Sequence, residues 1–171
     1  GKSTASKSIS KRLGYKHYST GDFFREIGHQ KGMDVHQTNV HASGIKFDEN
    51  HIDYLVDQRQ RELGKNQDNF VIDGRISWHW IPNSFKVFLN LDLETAAKRI
   101  LGDMDENRRI HEHVPDDPHK YAVALQKRLD VQTKRYKKLY NVNPYDMDNY
   151  DLVVDTSNTS CRQASGIRRS F

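Results

Sequence analysis

The chain has 171 residues, 27 Lys and Arg against 23 Asp and Glu, and a formal net charge of +4; that length supports one substantial domain rather than two. The small positive excess suits a polyanion, nucleotide or nucleic acid alike, and its interleaving with acids gives no indication of a broad nucleic-acid face. One cysteine excludes internal disulfides and cysteine-rich zinc sites and points to a reducing, cytoplasmic setting, and no apolar run approaches the length of a membrane span.

The chain starts with Gly1-Lys2-Ser3-Thr4, the end of the pattern GxxxxGK[ST]. In that pattern a glycine-rich loop wraps backbone N–H groups around a phosphate, the lysine reaches the outer phosphates and the hydroxyl holds magnesium. Ala5, Ile9 and Leu13 then recur at fourth-residue spacing before Gly14, which predicts a helix of about three turns leaving the loop. A phosphate at its amino end would meet unpaired N–H groups and the positive end of the helix dipole. Such a loop needs a buried strand ahead of it, so the natural protein is expected to carry roughly ten residues before Gly1.

Tyr15–Ser19 reads as a short strand. Thr20 or Asp22 can cap a following helix with Phe23, Phe24 and Ile27 on its apolar side. Arg25 falls opposite those packing residues, as a solvent-facing side chain or, beside a phosphate loop, an anion contact. Residues 28–66 read as a flap on the substrate side, not as a separately folding domain. It has a polar, breaker-rich stretch with His29, His36 and His41, which lack metal-ligand spacing, and then a helix capped by Asp48, carrying Ile52, Leu55, Val56 and Leu63 and ending at Gly64.

Phe70-Val71-Ile72 is a continuous apolar run ended by Asp73, the pattern of a buried parallel strand whose carboxyl edge faces a site. Asp73 there can orient magnesium waters or simply cap the next helix. Gly74 permits close approach of a ligand, and Arg75 can fork onto a phosphate. Trp78 and Trp80 can pack a substrate base or form a hinge core. Phe85–Leu91 reads as another strand, and Asp92 and Glu94 open a helix carrying Arg99 and closed by Gly102.

Residues 103–119 are charged, poor in apolar anchors and broken by Val114-Pro115-Asp116-Asp117-Pro118, which reads as a lid with Arg108 and Arg109 available to phosphates. A long helix is expected from Pro118 to Tyr140, with Arg128 and Arg135 seven residues apart and so near one face. Its dense positive run, Lys134 to Lys138, is a solvated face. A last strand, Asp151–Thr156, precedes a terminal helix capped by Ser157 or Thr159.

Taken in order, GKST, STGDFFRE, VIDGR and KRLDVQTKRYKKLYNVNPYDMDNYDLVVDTS resemble the cytidylate kinase-like, archaeal-type branch of the P-loop nucleoside monophosphate kinases, across most of the chain. The resemblance implies an α/β fold: a parallel five-stranded sheet flanked by helices, with four strands legible here and the first missing, in a single domain over residues 1–171. It implies transfer of the γ-phosphoryl group of ATP to CMP or dCMP with Mg2+. By the same resemblance Gly1, Lys2, Ser3 and Thr4 would hold the donor, with Arg99 at the base of the lid. Ser3 and Asp73 would serve the metal. Thr20, Gly21 and Asp22 would lie beside the acceptor nucleoside, and Arg25 and Arg75 would hold its phosphate. Lys2, Arg128 and Arg135 would stabilise the group in flight, with no catalytic histidine required.

Asp103 departs from the family, which commonly has a basic residue there, unless Arg108 or Arg109 substitutes. The alternatives are a kinase for another nucleoside monophosphate or small metabolite, or a catalytically weak nucleotide-binding regulatory module. Expected partners are ATP and a nucleoside monophosphate, with no membrane or nucleic acid, for a monomer or weak dimer.

Overall fold

In the computed structural model, residues 1–34, 37–38, 50–105 and 114–158 are described. They fall into two compact units, one running to Phe85 and the other starting at Lys86.

In the first unit, helix α1 (Lys2–Leu13) ends at Gly14, whose φ of 68° is the left-handed conformation glycine adopts without steric cost. The buried residues of α1 are Ala5, Ser6 and Ser10, whereas Leu13 is 55% exposed. The helix therefore buries a small, hydroxyl-rich stripe in place of the expected aliphatic one. Strand β1 (Lys16–Ser19) leads directly into α2 (Thr20–Gln30). Helix α3 (Ile52–Asn66) then returns to β2 (Phe70–Asp73), which pairs parallel to β1 with Tyr18 opposite Ile72 and Ser19 opposite Asp73.

The alternation of side chains along a strand divides this two-stranded sheet into two faces. Tyr18, Phe70 and Ile72 turn to the core of Phe23, Ile27, Ile52, Val56 and Leu63 between α2 and α3. The Tyr18 ring lies 5.8 Å from that of Phe70 and 6.1 Å from that of Phe23. Arg59 of α3 covers the Phe23 ring at 4.4 Å and pairs with Glu26 at 2.8 Å, which ties the two helices together. His17, Ser19 and Asp73 take the other face, against α1.

Local expectations change at the helix ends: α2 starts at Thr20 with Ser19 as its N-cap residue, so neither Thr20 nor Asp22 caps it. The α3 cap is His51, whose Nδ1 accepts from the Asp53 N–H at 3.2 Å, while Asp48 lies outside the described residues. The helix also runs through Gly64 to Asn66, because Ile81 packs directly onto the Gly64 backbone. A single turn, α4 (Ser77–Trp80), follows β2.

In the second unit β3 (Val87–Asn90) pairs parallel with β4 (Leu152–Asp155). Between them lie α5 (Leu93–Asp103), capped by Asp92, and α6 (Pro118–Tyr140), capped by Asp117. α6 ends on Asn141 in the left-handed conformation, at the boundaries its sequence marks. α5 passes Gly102 by one residue and is followed by buried Met104. The four expected strands are thus present, as two parallel pairs among the described residues. Arg108, Arg109, His36, His41 and the segment after Asn158, with its expected cap Thr159, lie outside the described residues.

Candidate active site

The carboxylate of Asp73 is the centre of the first unit's polar face. Its Oδ1 accepts from Ser3 Oγ at 3.3 Å and Ser19 Oγ at 3.1 Å. Its Oδ2 accepts from Ser6 Oγ at 3.1 Å and lies 2.8 Å from His17 Nε2. The Asp73 and His17 side chains are only 11% and 15% exposed. Burying a carboxylate this deeply is costly unless its lone pairs are filled, and here every donor comes from a neighbouring element.

Sequence periodicity delivers each donor. Ser3 and Ser6 are one turn apart on α1, and Ser6 Oγ also lies 3.1 Å from the Ser3 carbonyl oxygen. His17 and Ser19 are two apart on β1 and share its face. Ser19 is the N-cap residue of α2, yet it makes no side-chain cap because its hydroxyl is turned to Asp73. The helix-capping alternative for Asp73 does not hold, since α4 has Ile76 at its N-cap.

Ser3 places this carboxylate at the start of α1, where Gly1 is the N-cap residue and Lys2, Ser3 and Thr4 are exposed. No acid and no side-chain cap stands in that first turn, and the carboxylate that reaches it is Asp73 at the end of β2. On the other side of β2, Thr20, Gly74 and Ser77 meet: a Cβ on Gly74 would overlap Ser77 Oγ and lie 2.7 Å from Thr20 Cγ2. Gly21 sits beneath the guanidinium of Arg25, which pairs with Asp22 one turn earlier. Arg75 is half-buried and makes no ion pair among the described residues.

Gly1, Lys2, Ser3, Thr4, Thr20, Gly21, Asp22, Arg25, Asp73 and Arg75 thus belong to one unit, and Arg99, Arg128 and Arg135 to the other. In the second unit Arg99 donates from both terminal nitrogens, to the carbonyls of Thr156 and Ser157, each at 3.0 Å. Nearby, Asp92 and Asp155 both have pKa values held below the usual carboxylate range, Asp92 chiefly by the Thr95 N–H and Asp155 by the Ser157 hydroxyl. Arg128 is exposed on α6 and Arg135 half-buried.

Sequence reasoning missed His17, Ser6 and Ser19. The available signal was the placement of polar residues at alternate positions of a strand that ends at a helix cap.

The donor set fits magnesium in one mode. Among the described residues no group of three or more His, Cys, Asp or Glu side chains could hold a metal unaided. A hydroxyl beside one carboxylate suits an ion that takes most of its ligands from phosphate oxygens and water.

Residues 1–158 match the model of the cytidylate kinase-like family. The chain is similar to a cytidylate kinase of Thermoplasma volcanium, 36% identical over 91% of this chain and 77% of that protein. It is similar also to those of Methanocaldococcus jannaschii, 34% identical over 92% and 83%, and Thermoplasma acidophilum, 32% identical over 91% and 78%.

Proposed function

The chain belongs to the cytidylate kinase-like family, and from that premise we propose how its residues carry the reaction. Its fold is of the P-loop nucleoside monophosphate kinase type, and its activity is an ATP-dependent phosphotransfer to CMP or dCMP. An oxygen of the acceptor phosphate attacks the γ-phosphorus of ATP. The bond from that phosphorus to the bridging oxygen breaks, the electron pair leaves with ADP, and CDP or dCDP is formed. Negative charge spreads over the moving phosphoryl oxygens, so alignment and fixed positive charge are what the protein must supply.

Lys2 reaches the outer phosphates of the donor, and the first-turn N–H groups from Gly1 to Thr4 cradle them. Magnesium, when bound, supplies charge to the donor's phosphate oxygens, with Ser3 and Asp73 the residues that hold it. With its proton toward Asp73, the Ser3 hydroxyl leaves its oxygen lone pairs for that ion. On the acceptor side Arg25 and Arg75 hold the monophosphate, with Thr20, Gly21 and Asp22 beside the nucleoside. The Asp22–Arg25 pair keeps the guanidinium at the amino end of α2 until a phosphate replaces the aspartate.

Arg128 and Arg135, two turns apart on α6, act on the transferring group, and Arg99 acts on the donor side at the root of the lid. The whole chain works as one kinase domain, with residues 28–66 as the acceptor flap and 103–119 as the lid. Closure excludes water that would otherwise take the phosphoryl group. The protein acts on ATP and a nucleoside monophosphate as a monomer or weak dimer in the cytoplasm; no described helix is long and apolar enough to cross a membrane.

The observation carrying this reading is the Ser3–Asp73 hydrogen bond at the amino end of α1. The test is a panel of CMP, dCMP, UMP and AMP with ATP and Mg2+, following ADP and nucleoside diphosphate formation. CDP and dCDP should form at the highest kcat/KM; preferential transfer to AMP would overturn the acceptor assignment.

A further inference from the structure

The phosphotransfer reading leaves His17 without a task, although its Nε2 makes the shortest contact to Asp73, at 2.8 Å. The other three donors on that carboxylate are serine hydroxyls, which rotate. Ser6 is the clearest case. Its one proton can go to Asp73 Oδ2 or to the Ser3 carbonyl, both 3.1 Å away. The His17 ring has no such freedom, because its N–H lies in the ring plane and its backbone is fixed in β1, paired to β2. If Nε2 carries the proton to Oδ2, it cannot also accept from Ser6, 3.0 Å away, and the Ser6 proton is left to the other two acceptors.

We propose that His17 is a positioning residue for the metal-side carboxylate: its Nε2–H fixes the plane of Asp73, while Ser6 can turn to the Ser3 carbonyl and free an Oδ2 lone pair toward the waters of a bound magnesium ion. His17 touches neither substrate nor metal and acts only through Asp73. This rests on the reading of Ser3 and Asp73 as the metal pair. Outer-shell groups of this kind typically change metal affinity or activity by about 10–100-fold when removed.

The test compares the wild type with His17→Leu, His17→Gln and Asp73→Asn in the full chain. Mn2+ binding in the presence of ADP is read by electron paramagnetic resonance, alongside kcat, the KM for CMP and thermal unfolding. His17→Leu should weaken Mn2+ binding and lower kcat, each by about 10-fold, with the KM for CMP within about 2-fold. His17→Gln, which keeps an N–H donor, should recover most of both.

A merely structural histidine would lower the unfolding temperature in both variants and leave Mn2+ affinity unchanged well below it; that result overturns the proposal. So does His17→Gln behaving like His17→Leu in metal binding. If Asp73→Asn leaves Mn2+ binding intact, the metal assignment falls and the proposal with it; if only Asp73→Asn weakens binding, the metal assignment stands and His17 alone is refuted. Absence of transfer to CMP by the wild type would count against the phosphotransfer reading, while the Mn2+ measurement still decides His17.

Discussion

Gly74 and Ser77 are in such close contact that no side chain fits between them: a Cβ on Gly74 would overlap the Ser77 hydroxyl oxygen. Ser77 is buried, and the Thr20 methyl would lie 2.7 Å from the same Cβ, so relief requires more than one side chain to shift. Gly74→Ala should therefore destabilise the protein by about 1–3 kcal/mol, the usual cost of overpacking. Pairing it with Ser77→Gly should return part of that loss. Urea denaturation of the single and double variants checks this, and additive losses would refute it.

Arg25 and Lys2 are assigned to opposite substrates, so their removal should separate kinetically. Arg25→Ala should raise the KM for CMP by about 10–100-fold, the equivalent of a charge-assisted hydrogen bond of about 1.5–3 kcal/mol. The KM for ATP should change by less than about 2-fold. Equal effects on both substrates would show that Arg25 serves the fold rather than the acceptor. Steady-state kinetics with each substrate varied in turn is the measurement.

Lys2→Ala should instead lower kcat by about 100–1000-fold, the scale for losing one charge-stabilising donor at the reacting group. Arg128→Ala and Arg135→Ala should likewise act on kcat more than on either KM. Because these arginines are assigned to the same transferring group, the double variant should fall short of the sum of the two losses.

His79 links stability to pH. Burial, and secondarily the positive charge of Arg61, hold its pKa below the ordinary 6.5. Its ring lies 4.4 Å from that of Trp80, which Arg61 covers on its own account at 4.0 Å. As pH falls through about 6.5 the unfolded chain takes up the proton first, so it binds more protons than the folded chain and stability drops; above that pH the contribution is fully present. Urea midpoints at pH 5.5 and 7.5 should differ less for His79→Gln than for the wild type. An unchanged difference would remove His79 from the account.

Much of this was legible in the sequence, for physical reasons that differ by element. Helix α6 carries its own boundaries, with Asp117 and Pro118 at one end and Asn141 at the other, and local capping chemistry suffices to read them. Helix α3 was misjudged at both ends because tertiary packing overrode local signals: Ile81 covers Gly64, and buried His51 takes the cap. At the site, Ser3 was singled out by its motif and Asp73 by the apolar strand it ends. Ser6, Ser19 and His17 were not, because their shared role exists only once β1 and β2 align Ser19 with Asp73. The stripe of α1 differs from the Ala5, Ile9 and Leu13 spacing for a related reason: Ser6 is buried against the Asp73 carboxylate, and Ser10 is buried with its hydroxyl on the Lys7 carbonyl.

The fork of Arg99 onto the Thr156 and Ser157 carbonyls has a mechanical meaning. It pins the middle of α5 to the end of β4, and buried Met104 anchors the residue after the helix. α5 cannot roll about its axis without breaking both hydrogen bonds, so it behaves as a fixed post.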